Sequence, residues 1–436
     1  VAVTYTDLAD IEVGFPGVAY YDPTILAAYD DRDAVAFVAA RGYALLRRDG
    51  DTLTAPFQAA LPGGFSTGPQ NSWTLRRQTA DRIVAMGGQD GVSVTGANSL
   101  PIGRIERTGD TLTATNLGAF SVFVGEGNWV GRGEPLLVND TQAIAYLARR
   151  GESGYHELRY HIVTMTDPPS TGASRFDRFY SYRTLVNGNP PDIDLPTVLA
   201  VHETFPQVGV NALNTVRQLT LVGPWNATFE QFTHVRDSPG RAAPMSAYLW
   251  NSVGGSSGLL DHQQLSPTAN YPDRRSVRLI ATAPGSLAVV MREWDPATSG
   301  DLLTVRGITD AGGDSYGQLT ITAPLALPGT RQYDLSIIPA ATSHAPGRVT
   351  VHGQTNRGRY EIDITTDPPT IVHTEDYQNG WFPVALSATH GILVAVGENK
   401  LLARLYGRAG DEPPPPPLPS PSSAQFTSRR VRFPGR

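Results

Sequence analysis

The chain has 436 residues and a net charge of −6 at neutral pH, with 40% hydrophobic and 17% charged residues. That length can bury a large core, and the mild acidity gives the body no electrostatic reason to bind nucleic acid or an anionic membrane. There are no cysteines, which excludes disulfides, thiolate metal sites and cysteine nucleophiles, and no apolar run approaches the ~18 residues of a membrane span.

Gly 44 and Pro 35, spread along the whole length, belong to many short strands and turns. Lys400 is the one lysine, so 34 of the 35 basic residues are arginine. Because this bias runs through the whole chain, it reads as the mark of a GC-rich genome rather than of bidentate carboxylate chemistry. The opening VAVTYTDLAD has neither a basic region nor an apolar one, so secretion by a cleaved signal is not expected.

In chain order, residues 1–32 contain GFPGVAYYDPTIL, a turn-rich start followed by a short apolar segment. Ala34–Ala40 and Tyr43–Arg47 read as two strands around Arg41-Gly42, leading into Arg47–Ala55, RRDGDTLTA. This stretch returns 59 residues later at Glu106–Ala114 as ERTGDTLTA. A Gly-Asp turn followed by Thr-Leu-Thr is hairpin chemistry, since Gly accepts positive φ and alternating Thr and Leu suit a half-buried strand. The first echo of the unit is Arg82–Met86, Val92–Thr95, Ile102–Arg107 and Thr111–Thr115; the next is Pro135–Val138, Ala143–Ala148 and Leu158–Met165. That third unit ends in Thr166-Asp167-Pro168-Pro169, and RYHIVTMTDPP recurs 200 residues later as RYEIDITTDPP, ending at Pro369. Pro-Pro cannot donate ladder hydrogen bonds, so both copies are expected to end an outer strand and begin a connecting loop.

Further strands are expected at Asn211–Val222, Thr228–Val235, Ser246–Trp250, Ser276–Ala281, Leu287–Glu293, Leu302–Gly307 and Gln318–Ala323. Beyond them come Tyr333–Ile338, Arg348–His352, Val384–Ser387, Ile392–Val396 and Leu401–Tyr406. The one helical pattern is about two turns around Asp192–His202. The fold class is therefore all-β. Repeated four-stranded units of about 60 residues predict a β-propeller of six or seven blades over residues 1–410, the alternative being two β-sandwich domains divided near Pro190–Pro206.

The chain then changes character. Pro413–Pro417 and the Pro/Ser-rich residues around them make 411–425 an extended spacer, and residues 426–436 form a basic arm with Phe426, Arg429, Arg430, Arg432, Phe433 and Arg436. A basic arm on an acidic body favours binding to neighbouring subunits, as a homo-oligomer or in a larger assembly.

Motifs for chemistry are sparse. Gly254–Gly258 fits G-x-S-x-G, but a Gly/Ser loop in an all-β chain lacks the strand-turn-helix context of a nucleophile elbow. The nine histidines show no metal spacing: His156 and His161 read as strand and turn, and His202, His352, His373 and His390 are scattered, so they read as structural or surface residues. Asp30-Asp31-Arg32-Asp33 and Asp192-Ile193-Asp194 read as solvated turns rather than Ca²⁺ loops. No cofactor or metal is expected. Trp225, Trp250, Trp294 and Trp381 sit near turns and could stack on a glycan.

The opening GFPGVAYYDPTIL resembles the first-blade signature of five-bladed glycoside hydrolases of the arabinanase and xylosidase kind. The resemblance implies a general base at Asp22, followed by Pro23, Thr24 and Ile25, and a general acid at Glu134, in Gly133-Glu134-Pro135. The family's Trp-Ala-Pro-Asp has no counterpart, since Trp73 is followed by Thr74-Leu75-Arg76. Taken whole, the repeated blades, the absence of cysteine and catalytic grammar, and the Pro-spaced arm resemble the β-propeller proteins that serve as structural and adhesive parts of tailed-phage virions. That resemblance implies a non-enzymatic virion component that assembles with neighbours and binds surface glycans. The alternatives are a glycoside hydrolase or carbohydrate-binding propeller, placed in the cytoplasm or outside the cell.

Overall fold

A computed structural model of the chain describes residues 3–17, 24–38, 41–62, 71–89, 99–121, 130–131, 136–137, 142–150, 155–164, 170–171, 180–183, 195–203, 215–225, 245–253, 256–266, 277–295, 300–311, 318–328, 340–352, 358–376 and 381–410. The regular elements among them are all strands, arranged in seven antiparallel sheets that follow one another along the chain.

β1 (Thr4–Gly14) comes first and joins the last sheet. β2 (Thr24–Ala28), β3 (Asp33–Val38), β4 (Gly42–Asp49) and β5 (Thr52–Ala60) form a meander in that order. The next meander is β6 (Asn71–Thr79), β7 (Arg82–Gln89), β8 (Ser99–Thr108) and β9 (Thr111–Ser121). The third sheet holds β10 (Val130–Gly131), β11 (Leu136–Leu137), β12 (Gln142–Arg150), β13 (Tyr155–Thr164), β14 (Ser170–Thr171) and β15 (Tyr180–Arg183). β16 (Leu195–Glu203), β17 (Thr215–Trp225), β18 (Met245–Val253) and β19 (Ser256–Ser266) make the fourth. β20 (Val277–Ala283), β21 (Ser286–Asp295), β22 (Gly300–Asp310), β23 (Leu319–Ile321) and β24 (Leu325–Ala326) make the fifth. The sixth is β25 (Ala340–Thr342), β26 (Arg348–His352), β27 (Gly358–Asp363) and β28 (Thr370–Asp376). The last is β29 (Phe382–Ala385), β30 (His390–Gly397) and β31 (Lys400–Ala409), with β1 added as its fourth strand. β1 runs antiparallel to β31 from Thr4 opposite Ala409 to Gly14 opposite Lys400, so the two ends of the described chain share one sheet.

Period-two alternation gives the inner strands β3 and β21 two packed faces each. In β3, Ala34, Ala36 and Val38 face the last sheet with Ile392, Val394 and Leu405, while Val35 and Phe37 face the second with Ile83, Ala85 and Ile105. β21 divides the same way, Leu287, Val289 and Met291 toward the fourth sheet and Ala288 and Val290 toward the sixth. Leading strands also meet: β6 touches β2, β2 touches β29, β29 touches β25, β25 touches β20, β20 touches β16, and β16 touches β11.

The repeated hairpin is as the sequence predicts. Gly50 and Gly109 both take φ of 60° at the first turn position, between Asp49 and Thr52 and between Thr108 and Thr111, the glycine placement of a type II′ turn. Thr52 Oγ1 donates to the Asp49 carbonyl at 2.7 Å, and Thr111 Oγ1 to the Thr108 carbonyl at 2.8 Å. Leu53 and Leu112 are buried between exposed threonines. A backbone bond recurs in five sheets just beyond the second-to-third strand pairing: the N–H groups of Arg48, Arg107, Asp310, Ile364 and Arg408 donate to the carbonyls of Arg32, Asp81, Gly285, Gly347 and Thr389.

Several expectations are corrected. In the stretch expected to be helical, Leu195–Glu203 is the strand β16, and it touches strands of both flanking sheets in the region proposed to divide two sandwiches. The first residues are not merely turn-rich: β1 is eleven residues long, its acids neutralised by Lys400 and Arg404 of β31. Thr366–Pro369 does not end an outer strand but links β27 to the outer strand β28. His156 and His161 both lie in β13. Val92–Thr95, Thr166–Pro169, Thr228–Val235, Tyr333–Ile338 and residues 411–436 lie outside the described residues.

Candidate functional site: a buried polar joint between the last two sheets

The sixth sheet has two unlike faces. Val349, Val351, Tyr360 and Ile362 pack against Ala288, Val290, Leu303 and Val305 of the fifth sheet. The same alternation turns Thr350, His352, Arg359 and Glu361 the other way, toward the last sheet. Where apolar clusters join the other well-described neighbouring sheets, this contact carries charge.

Glu361 and Arg359 are each 1% exposed. Burying either ion alone costs several kcal/mol, so partners must be supplied from both sides of the joint. Arg408 of β31 forks onto Glu361, with Nε donating to Oε2 at 2.9 Å and Nη2 to Oε1. The Tyr5 hydroxyl of β1 donates to Oε2 at 2.7 Å and lies 3.0 Å from Thr350 Oγ1. Arg359 pairs with Glu375 of β28 at 2.7 Å and stacks over the rings of Tyr5 (4.5 Å) and Tyr406 (5.1 Å). His344, in the turn before β26, is held by Nδ1 against the Ser387 carbonyl at 2.8 Å and by Nε2 against the Tyr406 hydroxyl at 2.7 Å. Tyr406 reaches that position because residue 391 is glycine; a Cβ there would overlap its ring and hydroxyl.

The electrostatics follow from this geometry. A carbonyl only accepts, so His344 carries its proton on Nδ1 and accepts from Tyr406 on Nε2. Burial pushes its pKa down to about 4. Burial, with the Arg359 charge beside it, holds His352 well below the ordinary histidine value. Burial alone would raise Glu361, but the hydrogen bonds from Arg408 and Tyr5 and the Arg408 charge outweigh it, and its carboxyl titrates below the usual range. Burial and the Glu361 charge raise Tyr5, which is a phenol at neutral pH. The joint thus sets two guanidinium groups against Glu361, Glu375 and the more exposed Asp7, 3.8 Å from Arg359, beside the neutral imidazoles of His344 and His352. Its chemistry is that of a clasp holding β1 and β31 to the sixth sheet.

A second network ties the first two sheets through the repeated hairpins. Asp33, 3% exposed, accepts Arg47 Nε at 2.7 Å and Nη2 at 2.8 Å, and Arg107 Nη1 at 2.5 Å. Arg107 also reaches Asp30 and Asp81, both at 2.7 Å, while Arg47 bonds Asp110 and the Gly109 carbonyl. Asp33 is therefore the hub of an ion-pair network, not part of a solvated turn. Arg47, Arg107, Arg404 and Arg408 each use several donors on carboxylates, which one lysine ammonium could not reproduce. In these places the arginine bias has structural work.

Asp22 and Glu134 lie outside the described residues, as do Phe426, Arg429, Arg430, Arg432, Phe433 and Arg436. Trp381 is not an exposed glycan platform; it is 7% exposed, under the Arg404 guanidinium at 5.0 Å. Trp225, Trp250 and Trp294 lie in β17, β18 and β21. The first acidic cluster is engaged by arginine, and among the described residues no three His, Cys, Asp or Glu side chains gather to hold a metal ion. The sequence reading missed Tyr5, His344, Arg359, Glu361, Tyr406 and Arg408. Their available signal was the opposite charge at period two in RVTVH and GRYEID.

No family model matches the sequence, and no curated relative matches it. Among solved structures, the chain is similar to a hypothetical selenium-binding protein from Sulfolobus tokodaii, at 7% identity and TM-score 0.47, covering 86% of this chain and 82% of that one. It is similar to the C-terminal WD40 domain of Sif2, at 10% identity and TM-score 0.44, covering 93% and 99%. A mutant α-L-arabinofuranosidase from Fusarium graminearum, in complex with an iminosugar inhibitor, gives 8% identity and TM-score 0.40, covering 78% and 93%. All three scores lie below 0.5, so the account of the fold rests on this chain's own strand order.

Proposed function

We propose that this protein is a non-enzymatic structural and interaction protein whose seven sheets are the blades of one β-propeller, extended by the spacer 411–425 and the arm 426–436. The observation that carries the reading is the pairing of β1 with β31, which brings the chain's ends into one sheet as closure of a ring requires. The buried joint favours the same reading, because its charges are spent on holding sheets together. The arm carries four arginines and no acid on a chain of net charge −6, which favours docking on a neighbouring copy or another subunit of an assembly. The spacer's fifteen residues would reach about 45 Å if fully extended as polyproline II. We place this assembly in a virion, where a cysteine-free, rim-binding disc is suited to a structural part that also contacts surface glycans.

The test compares the full chain with one ending at Glu412 by sedimentation and by incorporation into the assembly. Loss of association on truncation is expected; unchanged association would remove the arm from the account. A second reading, glycoside hydrolase, is favoured by one observation: Asp22-Pro23 immediately precedes Thr24, the first residue of the leading strand β2. Polysaccharide hydrolysis that Asp22→Asn abolishes would establish the enzyme instead.

A further inference from the structure

We propose that the joint between the sixth and last sheets opens in acid, with His344 as the residue whose protonation unlocks it. The geometry gives the reason. His344 Nε2 sits 2.7 Å from the Tyr406 hydroxyl and must accept its proton, because Nδ1 is committed to the Ser387 carbonyl. A second proton on the ring reverses this bond: Nε2–H must then donate to the phenol oxygen, and the Tyr406 proton loses its acceptor inside a fully buried site.

The surroundings cannot absorb the added charge. From β26, His344 is faced by His352; from β27, by Arg359 and Glu361; and from β31, by Tyr406 and Arg408, while Tyr5 of β1 bonds Glu361 beside it. β28 supplies Glu375, which Arg359 already engages, and His373, whose ring lies 5.6 Å from Tyr5. Arg408 and Tyr5 occupy the Glu361 carboxylate. An imidazolium would add a cation beside two guanidinium groups whose carboxylates, Glu361, Glu375 and Asp7, are already engaged, in a site where His344 is 6% exposed and Tyr406 fully buried. Opening the joint hydrates the ring and removes the conflict. The depressed pKa of His344 agrees in direction, since it measures the preference of the closed joint for the neutral ring. The first and second sheets meet through Asp33, Arg47 and Arg107 with no histidine among those side chains, so they serve as the internal control.

Hydrogen exchange of the full chain, read by mass spectrometry near pH 7 and near pH 5 with times scaled for intrinsic exchange, tests the proposal. Peptides from 340–352 and 400–409 are expected to exchange at least about tenfold faster near pH 5, the linkage of one pKa unit or more, while peptides from 33–49 stay unchanged. His344→Gln keeps a donor for Ser387 and an acceptor for Tyr406 but cannot titrate, and is expected to abolish the acceleration. If that variant does not fold, Tyr406→Phe removes only the donor to Nε2 and is expected to shift opening to higher pH. Joint peptides that keep pace with 33–49, acceleration retained in His344→Gln, or an unmoved midpoint in Tyr406→Phe would each overturn the proposal.

Discussion

Glu361 has two partners that arrive from the far ends of the chain, Tyr5 and Arg408. Glu361→Gln keeps the shape but leaves the Arg408 charge buried without its counter-ion, which should destabilise by about 3–5 kcal/mol in denaturant unfolding. Gly391→Ala acts on the same joint sterically. It forces Tyr406 off His344 and should cost about 1–3 kcal/mol, with no change in charge. The acid dependence has a definite sign. The folded pKa of His344, about 4, lies below its ordinary 6.5, so the unfolded chain takes up the proton first. Its contribution is fully present above pH 6.5 and declines as pH falls toward 4, by about 3 kcal/mol in total. Glu361, also depressed, extends the loss below its ordinary 4.5. Unfolding free energy measured across this range should lose one proton's worth of slope in His344→Gln. A slope unchanged from the parent would show that His344 does not titrate as described.

At the scale of elements, equivalent strand positions carry ion pairs whose sense is reversed between the first and second sheets. The first residue of the second strand faces its third-strand partner as Asp33–Arg47, then Arg82–Glu106, then Arg348–Asp363. Exchanging strands between the first two sheets would set Asp33 against Glu106 and Arg82 against Arg47, so the reversal opposes mispairing of similar repeats. Arg82 and Glu106 are about one-third exposed, and screening limits their coupling to about 0.5 kcal/mol. Asp33 is buried under two arginines. Glu106→Arg should therefore cost little, and Arg82→Glu with Glu106→Arg should recover it, whereas Asp33→Arg should cost several kcal/mol by thermal or denaturant unfolding.

The hairpins were legible because glycine, threonine and leucine state their own local geometry. β1 was not, because Asp7, Asp10 and Glu12 interrupt its apolar pattern and their cations, Arg404 and Lys400, stand nearly 400 positions away. The joint was hidden for a related reason. Polar residues at period two in β26 and β27 read as a solvent face, and only the placement of the last sheet turns that face inward. The structural use of Arg47 and Arg408 is hidden on the same ground, since a fork onto Asp33 or Glu361 is visible only after strands distant in sequence are neighbours.

At the scale of the whole molecule, the sheets succeed one another in chain order while the first strand completes the last sheet. The central claim is that this exchange holds the ends together and makes the body one rigid unit. Thermal unfolding of the full chain and of a chain lacking residues 1–14, with and without a peptide of residues 3–15 added in trans, tests it most directly. The account predicts one cooperative transition for the full chain, a markedly lower Tm after deletion, and recovery in proportion to added peptide. Equal Tm values for the two chains, with no response to the peptide, would contradict it.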